Sequence, residues 1–111
     1  MATPTFHIKQ NDDTPKLDVA LQDDRGRPVD LTGATTIFHM RNSADDTLKI
    51  DGGSTVLLSA SRGEVRYEWS VSNTNTAGNF EAEFQVTHAD GSIQTFPDDG
   101  YIDVIITDDV N

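Results

Sequence analysis

Phe80-Glu81-Ala82-Glu83-Phe84-Gln85-Val86 is apolar at every even position and polar at every position between. Only an extended chain, whose side chains point alternately to opposite faces, can bury one of these sets and leave the other in water. The same period of two recurs at Phe6 and Ile8, at Leu17, Val19 and Leu21, and at Val65, Tyr67 and Trp69. Trp69 shares the apolar face of its segment, so it is expected in a core rather than on a ligand platform. Residues 35–40 and 101–107 are more continuously apolar or β-branched, which predicts central strands. No window carries a helical period.

Turn signals separate these runs: Asp24-Arg25-Gly26-Arg27-Pro28, Asp51-Gly52-Gly53, Arg62-Gly63, Ala89-Asp90-Gly91 and Pro97-Asp98-Asp99-Gly100. Asp-Gly pairs suit the positive φ of tight turns. About seven or eight short strands at this spacing predict an all-β, immunoglobulin-like antiparallel β-sandwich. The 111 residues fit one domain, 1–111, with 1–10 as an arm or edge strand and 108–111 as a tail. Residues 73–80 resemble the immunoglobulin approach to strand F, where a turn leads to a corner aromatic. Phe80 stands where tyrosine is usual, so the corner's hydroxyl bond cannot come from that position.

The chain has no cysteine, which excludes disulfides and thiolate zinc sites. Its net charge is -11, and all eight Lys and Arg lie at or before Arg66. Beyond Tyr67 there are only acids, a field that repels phosphate backbones, so neither nucleic acid nor anionic lipid is an expected partner. No stretch approaches the roughly 20 apolar residues of a membrane helix. Met1-Ala2-Thr3-Pro4-Thr5 lacks a basic segment followed by an apolar run, so synthesis in the cytoplasm is expected.

Candidate chemistry is sparse. His7, His39 and His88 fall in separate strands or at a strand end, without the short spacings of zinc ligands. Neither a nucleophile-elbow motif nor a phosphate-binding glycine pattern occurs, so no enzyme activity and no cofactor are expected. Paired acids sit in predicted loops; Asp23, Asp24, Asp98 and Asp99 are weak calcium candidates, since loop carboxylates can supply oxygen ligands. A carbohydrate platform would need exposed aromatics, for which Tyr101 and Phe96 are the remaining candidates.

Five segments taken together resemble the N-terminal, immunoglobulin-like domain of phage baseplate upper proteins. They are Pro28-Val29-Asp30-Leu31-Thr32-Gly33-Ala34, Phe38-His39-Met40-Arg41, Gly63-Glu64-Val65-Arg66-Tyr67, residues 77–84 and residues 90–97. The resemblance runs from about Asp13 to Ile106. It makes Leu31 a core anchor before a turn at Gly33, Gly78 the relief of the loop entering the Phe80 and Phe84 strand, and Gly91 the closure of the last hairpin. Phe38, Tyr67 and Trp69 complete the expected core. The resemblance implies a virion protein that contacts other virion proteins, as a homo-oligomer or in many copies. That domain commonly heads a longer protein, and this chain ends soon after Ile106, so a tail, neck or capsid accessory role is expected beside the baseplate one. The N-terminal strand around Phe6 and Ile8 is the expected partner-binding edge. Two alternatives stay open: a carbohydrate- or host-surface-binding module assisted by calcium, and a capsid decoration protein.

Overall fold

A computed structural model describes residues 5–97 and 100–108. Its strands are β1 (Thr5–Lys9), β2 (Leu17–Ala20), β3 (Thr35–Asn42), β4 (Leu48–Ser54), β5 (Val56–Ser59), β6 (Glu64–Tyr67), β7 (Gly78–Thr87), β8 (Ile93–Phe96) and β9 (Ile102–Thr107). One short 3-10 helix, Val71–Asn73, interrupts them. The larger sheet runs β1-β9-β7-β3-β4, with β8 extending the β7 hairpin; the smaller runs β2-β6-β5. This is the expected immunoglobulin-like sandwich, with nine strands among the described residues. One pair departs from the antiparallel rule: β1 lies parallel to β9, with Ile8 opposite Ile106.

The alternation of residues 80–86 is realised in β7, where Phe80, Ala82, Phe84 and Val86 are buried and Glu81, Glu83 and Gln85 are not. Residues 35–40 and 101–107 supply β3 and β9, both interior to the larger sheet. The two sheets meet on aromatic rings. Phe38 of β3 stacks on Tyr67 of β6 at 4.2 Å, and Trp69 meets Tyr67 edge-on at 5.1 Å. Phe84 lies 5.0 Å from Phe38. Such pairs add about 0.5–1.5 kcal/mol each beyond the area they bury. Leu31, Phe96 and Ile102 are also fully buried in this core.

Turn chemistry fixes the ends of the strands. At Gly63, with φ +66, a Cβ would stand 2.7 Å from the carbonyl oxygens of both Leu21 and Val29, so only glycine fits between these segments. Gly33 sits at φ +73 against Ala89, and Gly91 at φ +89 closes the β7–β8 hairpin. Gly78 opens β7 above the Phe80 ring.

Asp51-Gly52-Gly53 is not the expected turn. The triplet lies inside β4, where Phe38 pairs with Gly53 and His39 with Asp51, leaving Gly52 as the extra residue of a β-bulge. Gly52 takes φ +77, and its N–H donates to His39 Nδ1 at 3.2 Å. Gly53 lies under the Tyr67 ring so closely that a Cβ would meet it at 2.8 Å. The bulge therefore lets the β4 backbone settle beneath the core aromatic.

The approach to β7 also gains a hydroxyl bond from an unexpected position. Phe80 cannot make one, but Tyr67 Oη donates to Asn73 Oδ1 at 2.9 Å and pins the 3-10 helix to β6. Burial pushes the Tyr67 phenol above its ordinary pKa.

Candidate interaction surface

Three regions were open to a functional role: the sheet edges, the outer face of the larger sheet and the acidic loops.

The edges differ most. A strand with one free edge presents N–H and C=O groups to any extended segment that approaches, and charges on that strand are the usual deterrent. Among the described strands, β1 ends the larger sheet with Lys9, and β4 ends it on the other side with Lys49 and Asp51. In the smaller sheet, β2 carries Asp18, which takes a bidentate bond from Arg66 of β6 at 2.7 and 3.0 Å. Two edge strands carry no charge, the short β8, which pairs only with β7, and β5, around which no charged residue occurs from Gly52 to Ser61. Val56, Leu57 and Leu58 are 41, 50 and 42% exposed. Consecutive strand residues point to opposite faces, so three in a row can share such exposure only where neither face is covered. Leu58 is the extra residue of a second bulge, between Leu57 opposite Val65 and Ser59 opposite Glu64. The exposed Leu48 begins β4 at its other end and belongs to the trough on the outer face of the larger sheet.

The N-terminal strand β1 is an edge strand whose side chains turn inward. Ile8 is only 4% exposed and belongs to the core, while Phe6 packs half-buried with its ring 5.6 Å from Trp69. Both side chains are therefore spent on folding, and a partner could reach only the backbone of β1. The expected edge strand is present, since β1 ends the larger sheet, and what it offers outward is its backbone rather than the Phe6 and Ile8 side chains. Alternation alone cannot tell an inward apolar face from one awaiting a partner.

The outer face of the larger sheet holds a trough of about 310 Å³ lined by His39, Arg41, Leu48, Asp51, Glu81, Glu83 and Tyr101, with Met40 at its floor. Cross-strand register sets Arg41 opposite Glu81, and Arg41 Nε donates to Glu81 Oε1 at 3.0 Å. The same guanidinium lies 4.9 Å over the Tyr101 ring and donates to its hydroxyl at 2.9 Å. These contacts raise the Arg41 pKa, the Glu81 hydrogen bond foremost. The one aromatic face available to a sugar ring here is covered by Arg41. Phe96, the other platform candidate, is buried.

Of the calcium candidates, Asp23 and Asp24 are described. Asp23 accepts from the Arg25 and Arg27 backbone N–H groups, both at 2.9 Å, and from Arg27 Nε at 3.0 Å. Its carboxylate thereby organises the 23–27 turn, and these bonds, the Arg27 backbone bond first, hold its pKa below the usual value. Asp24 is exposed beside it, and Asp98 and Asp99 lie outside the described residues. Among the described residues, no group of three or more His, Asp or Glu side chains is placed to hold a metal ion.

Two stacked sheets in the orders β1-β9-β7-β3-β4 and β2-β6-β5 define an immunoglobulin-like β-sandwich protein. Residues 3–97 match the BppU N-terminal domain, and the chain belongs to this family of phage baseplate upper protein domains. The match starts earlier and stops earlier than the resemblance read from Asp13 to Ile106. No curated protein matches the sequence. Among solved structures, CopC from Methylosinus trichosporium OB3b is similar with a TM-score of 0.57 at 12% identity, over 98% of this chain and 89% of that one. At that identity the likeness shows the fold alone.

The surface that sequence reasoning missed is Val56-Leu57-Leu58. Its signal was present: an uncharged, proline-free segment of β-forming residues in an otherwise acidic chain. Register shifts at Lys49, Gly52 and Leu58 hid the strands around it.

Proposed function

We propose that this chain is a non-enzymatic structural part of the phage particle, an assembly and attachment module that joins other virion proteins through the β5 edge. The family supports the baseplate association. The observation that carries the attachment role is the exposed, uncharged edge at Val56, Leu57 and Leu58, in contrast to β1, β2 and β4, which each bear a charge. An edge of this kind adds strands from a neighbour, with main-chain bonds giving affinity and apolar side chains giving area. Multicopy presence in the virion, after synthesis in the host cytoplasm, belongs to the same reading.

The test is incorporation. Gold-tagged antibody against the chain is expected to label purified particles, at the tail tip if the baseplate is its seat. Particles assembled with Leu58→Lys are expected to lose that label while the free variant keeps its far-ultraviolet circular dichroism. Unlabelled wild-type particles, with the protein free in the lysate, would overturn the assignment.

A further inference from the structure

We infer that Asp51 is a site of spontaneous isoaspartate formation, with His39 taking the amide proton of Gly52 as the Gly52 nitrogen closes on the Asp51 carboxyl. The inference concerns the β4 bulge and does not depend on the virion role.

Asp-Gly is the dipeptide at which this ring closure meets least obstruction, because glycine has no side chain beside the attacking nitrogen. The chain holds three such pairs, at 51–52, 90–91 and 99–100, and Asp99 lies outside the described residues. The other two are placed differently. At the β7–β8 turn the Gly91 N–H donates to the His88 carbonyl oxygen at 2.9 Å, an acceptor too weak to remove a proton. The Asp90 carboxylate accepts from the Ser92 hydroxyl at 2.6 Å and the Ser92 N–H at 2.9 Å. These bonds, the hydroxyl first, hold its pKa below the usual value and so keep it from the acid form that reacts.

In the bulge both reactants stand at one imidazole nitrogen. The Gly52 N–H donates to His39 Nδ1 at 3.2 Å, and the same nitrogen lies 3.4 Å from Asp51 Oδ1. Because Nδ1 accepts, the neutral ring carries its proton on Nε2, which faces Gln85 Oε1 at 3.3 Å. A base within hydrogen-bond reach of the proton it must take is the geometry that general-base catalysis requires. The Asp51 side chain is 74% exposed, so water reaches it.

The step balances without any co-reactant except water. The bond from Gly52 N to Asp51 Cγ forms while the Gly52 proton passes to His39 Nδ1. The carboxyl group, in its acid form, loses its hydroxyl, which leaves as water with the proton that His39 returns. Water then opens the five-membered imide at either carbonyl. Opening at Cγ restores aspartate, and opening at the main-chain carbonyl leaves isoaspartate, with the backbone running through Cβ and Cγ. That product adds one methylene to β4 between the His39–Asp51 and Phe38–Gly53 pairs. Gly53 already lies so close to the Tyr67 ring that a Cβ would collide with it, so the converted protein should melt lower.

The test is to hold the purified chain at neutral pH for weeks and read isoaspartate at each Asp-Gly pair by electron-transfer fragmentation of its peptides. The same chain unfolded in guanidinium chloride is the reference in which His39 is not positioned. Asp51 is expected to convert faster in the folded chain than in the unfolded one, and Asp90 more slowly. His39→Gln keeps an acceptor for the Gly52 N–H but supplies no base, so it should slow Asp51 by about tenfold or more and leave Asp90 unchanged. Conversion of Asp51 that is slower in the folded wild type than in the unfolded chain would overturn the inference. So would an unchanged Asp51 rate in a His39→Gln protein with the wild-type circular dichroism spectrum. If His39→Gln does not fold, the folded-to-unfolded ratio at Asp51 in the wild type decides alone.

Discussion

At one margin of the sandwich, β1 and β2 end the two sheets with their apolar side chains turned inward. Ile8 and Leu17 are buried, Phe6 leans on Trp69, and the charges of Lys9 and Asp18 mark the strands against outside pairing. At the other margin β4 keeps Lys49 and Asp51, but β5 holds Val56, Leu57 and Leu58 about half in water with no charge on the strand itself. The cover explains the contrast. Trp69, just beyond β6, stacks on Phe6 of β1 from the opposite sheet, whereas β5 ends the smaller sheet with Val56, Leu57 and Leu58 exposed. Both margins are edges by topology; only one is finished by the fold.

The largest expected effect separates the two margins by stability. Ile8→Ala should cost about 2–5 kcal/mol in urea unfolding, the range for a buried aliphatic side chain cut to a methyl. Leu57→Ala should change stability by no more than about 0.5 kcal/mol, as at other exposed sites. Equal costs at the two positions would erase the distinction drawn here. For the same reason a chain lacking residues 1–10 should melt markedly lower than the full chain, rather than fold normally and lose only assembly.

A smaller effect is expected at Gly53, which ties the β4 margin to the core. Gly53→Ala would push a methyl into the Tyr67 ring and should cost about 1–3 kcal/mol. A neutral result would mean that the Tyr67 ring can move and that the bulge does not fix this margin.

The smallest effect concerns the Tyr67 hydroxyl. Tyr67→Phe should cost about 1 kcal/mol by removing one of the two hydrogen bonds that Asn73 Oδ1 accepts, leaving the one from the Ser70 N–H. It should also flatten the alkaline limb of the stability profile. Burial raises the folded phenol above its ordinary pKa, so the unfolded chain ionises first. The contribution is complete below about pH 10 and is lost as pH rises through the folded value. Melting temperatures of both proteins across alkaline pH would show whether the slope belongs to Tyr67.

Sequence reading reached the core more surely than the surface. Phe38, Tyr67, Trp69, Phe80 and Phe84 follow from alternation because a strand's inner face repeats every second residue. Strands β4 and β5 were not legible for the same reason inverted. The bulges at Gly52 and Leu58 each insert one residue and shift the period, so a real strand reads as a turn and then as an unpatterned apolar run. The calcium candidates fared no better, since the Asp23 carboxylate that seems free in sequence is taken up by the turn it organises.

What the sequence determined by itself was the class of fold, the inward faces of most strands and the acidic, uncrosslinked character of the molecule, all consequences of local period and composition. Which strand would close each sheet was settled only in three dimensions. Thr5 pairs with Asp103, and the pairing that covers β1 and leaves β5 bare joins residues from distant parts of the chain. An apolar side chain carries no record of which neighbour will cover it. At β5 the fold leaves Val56, Leu57 and Leu58 exposed.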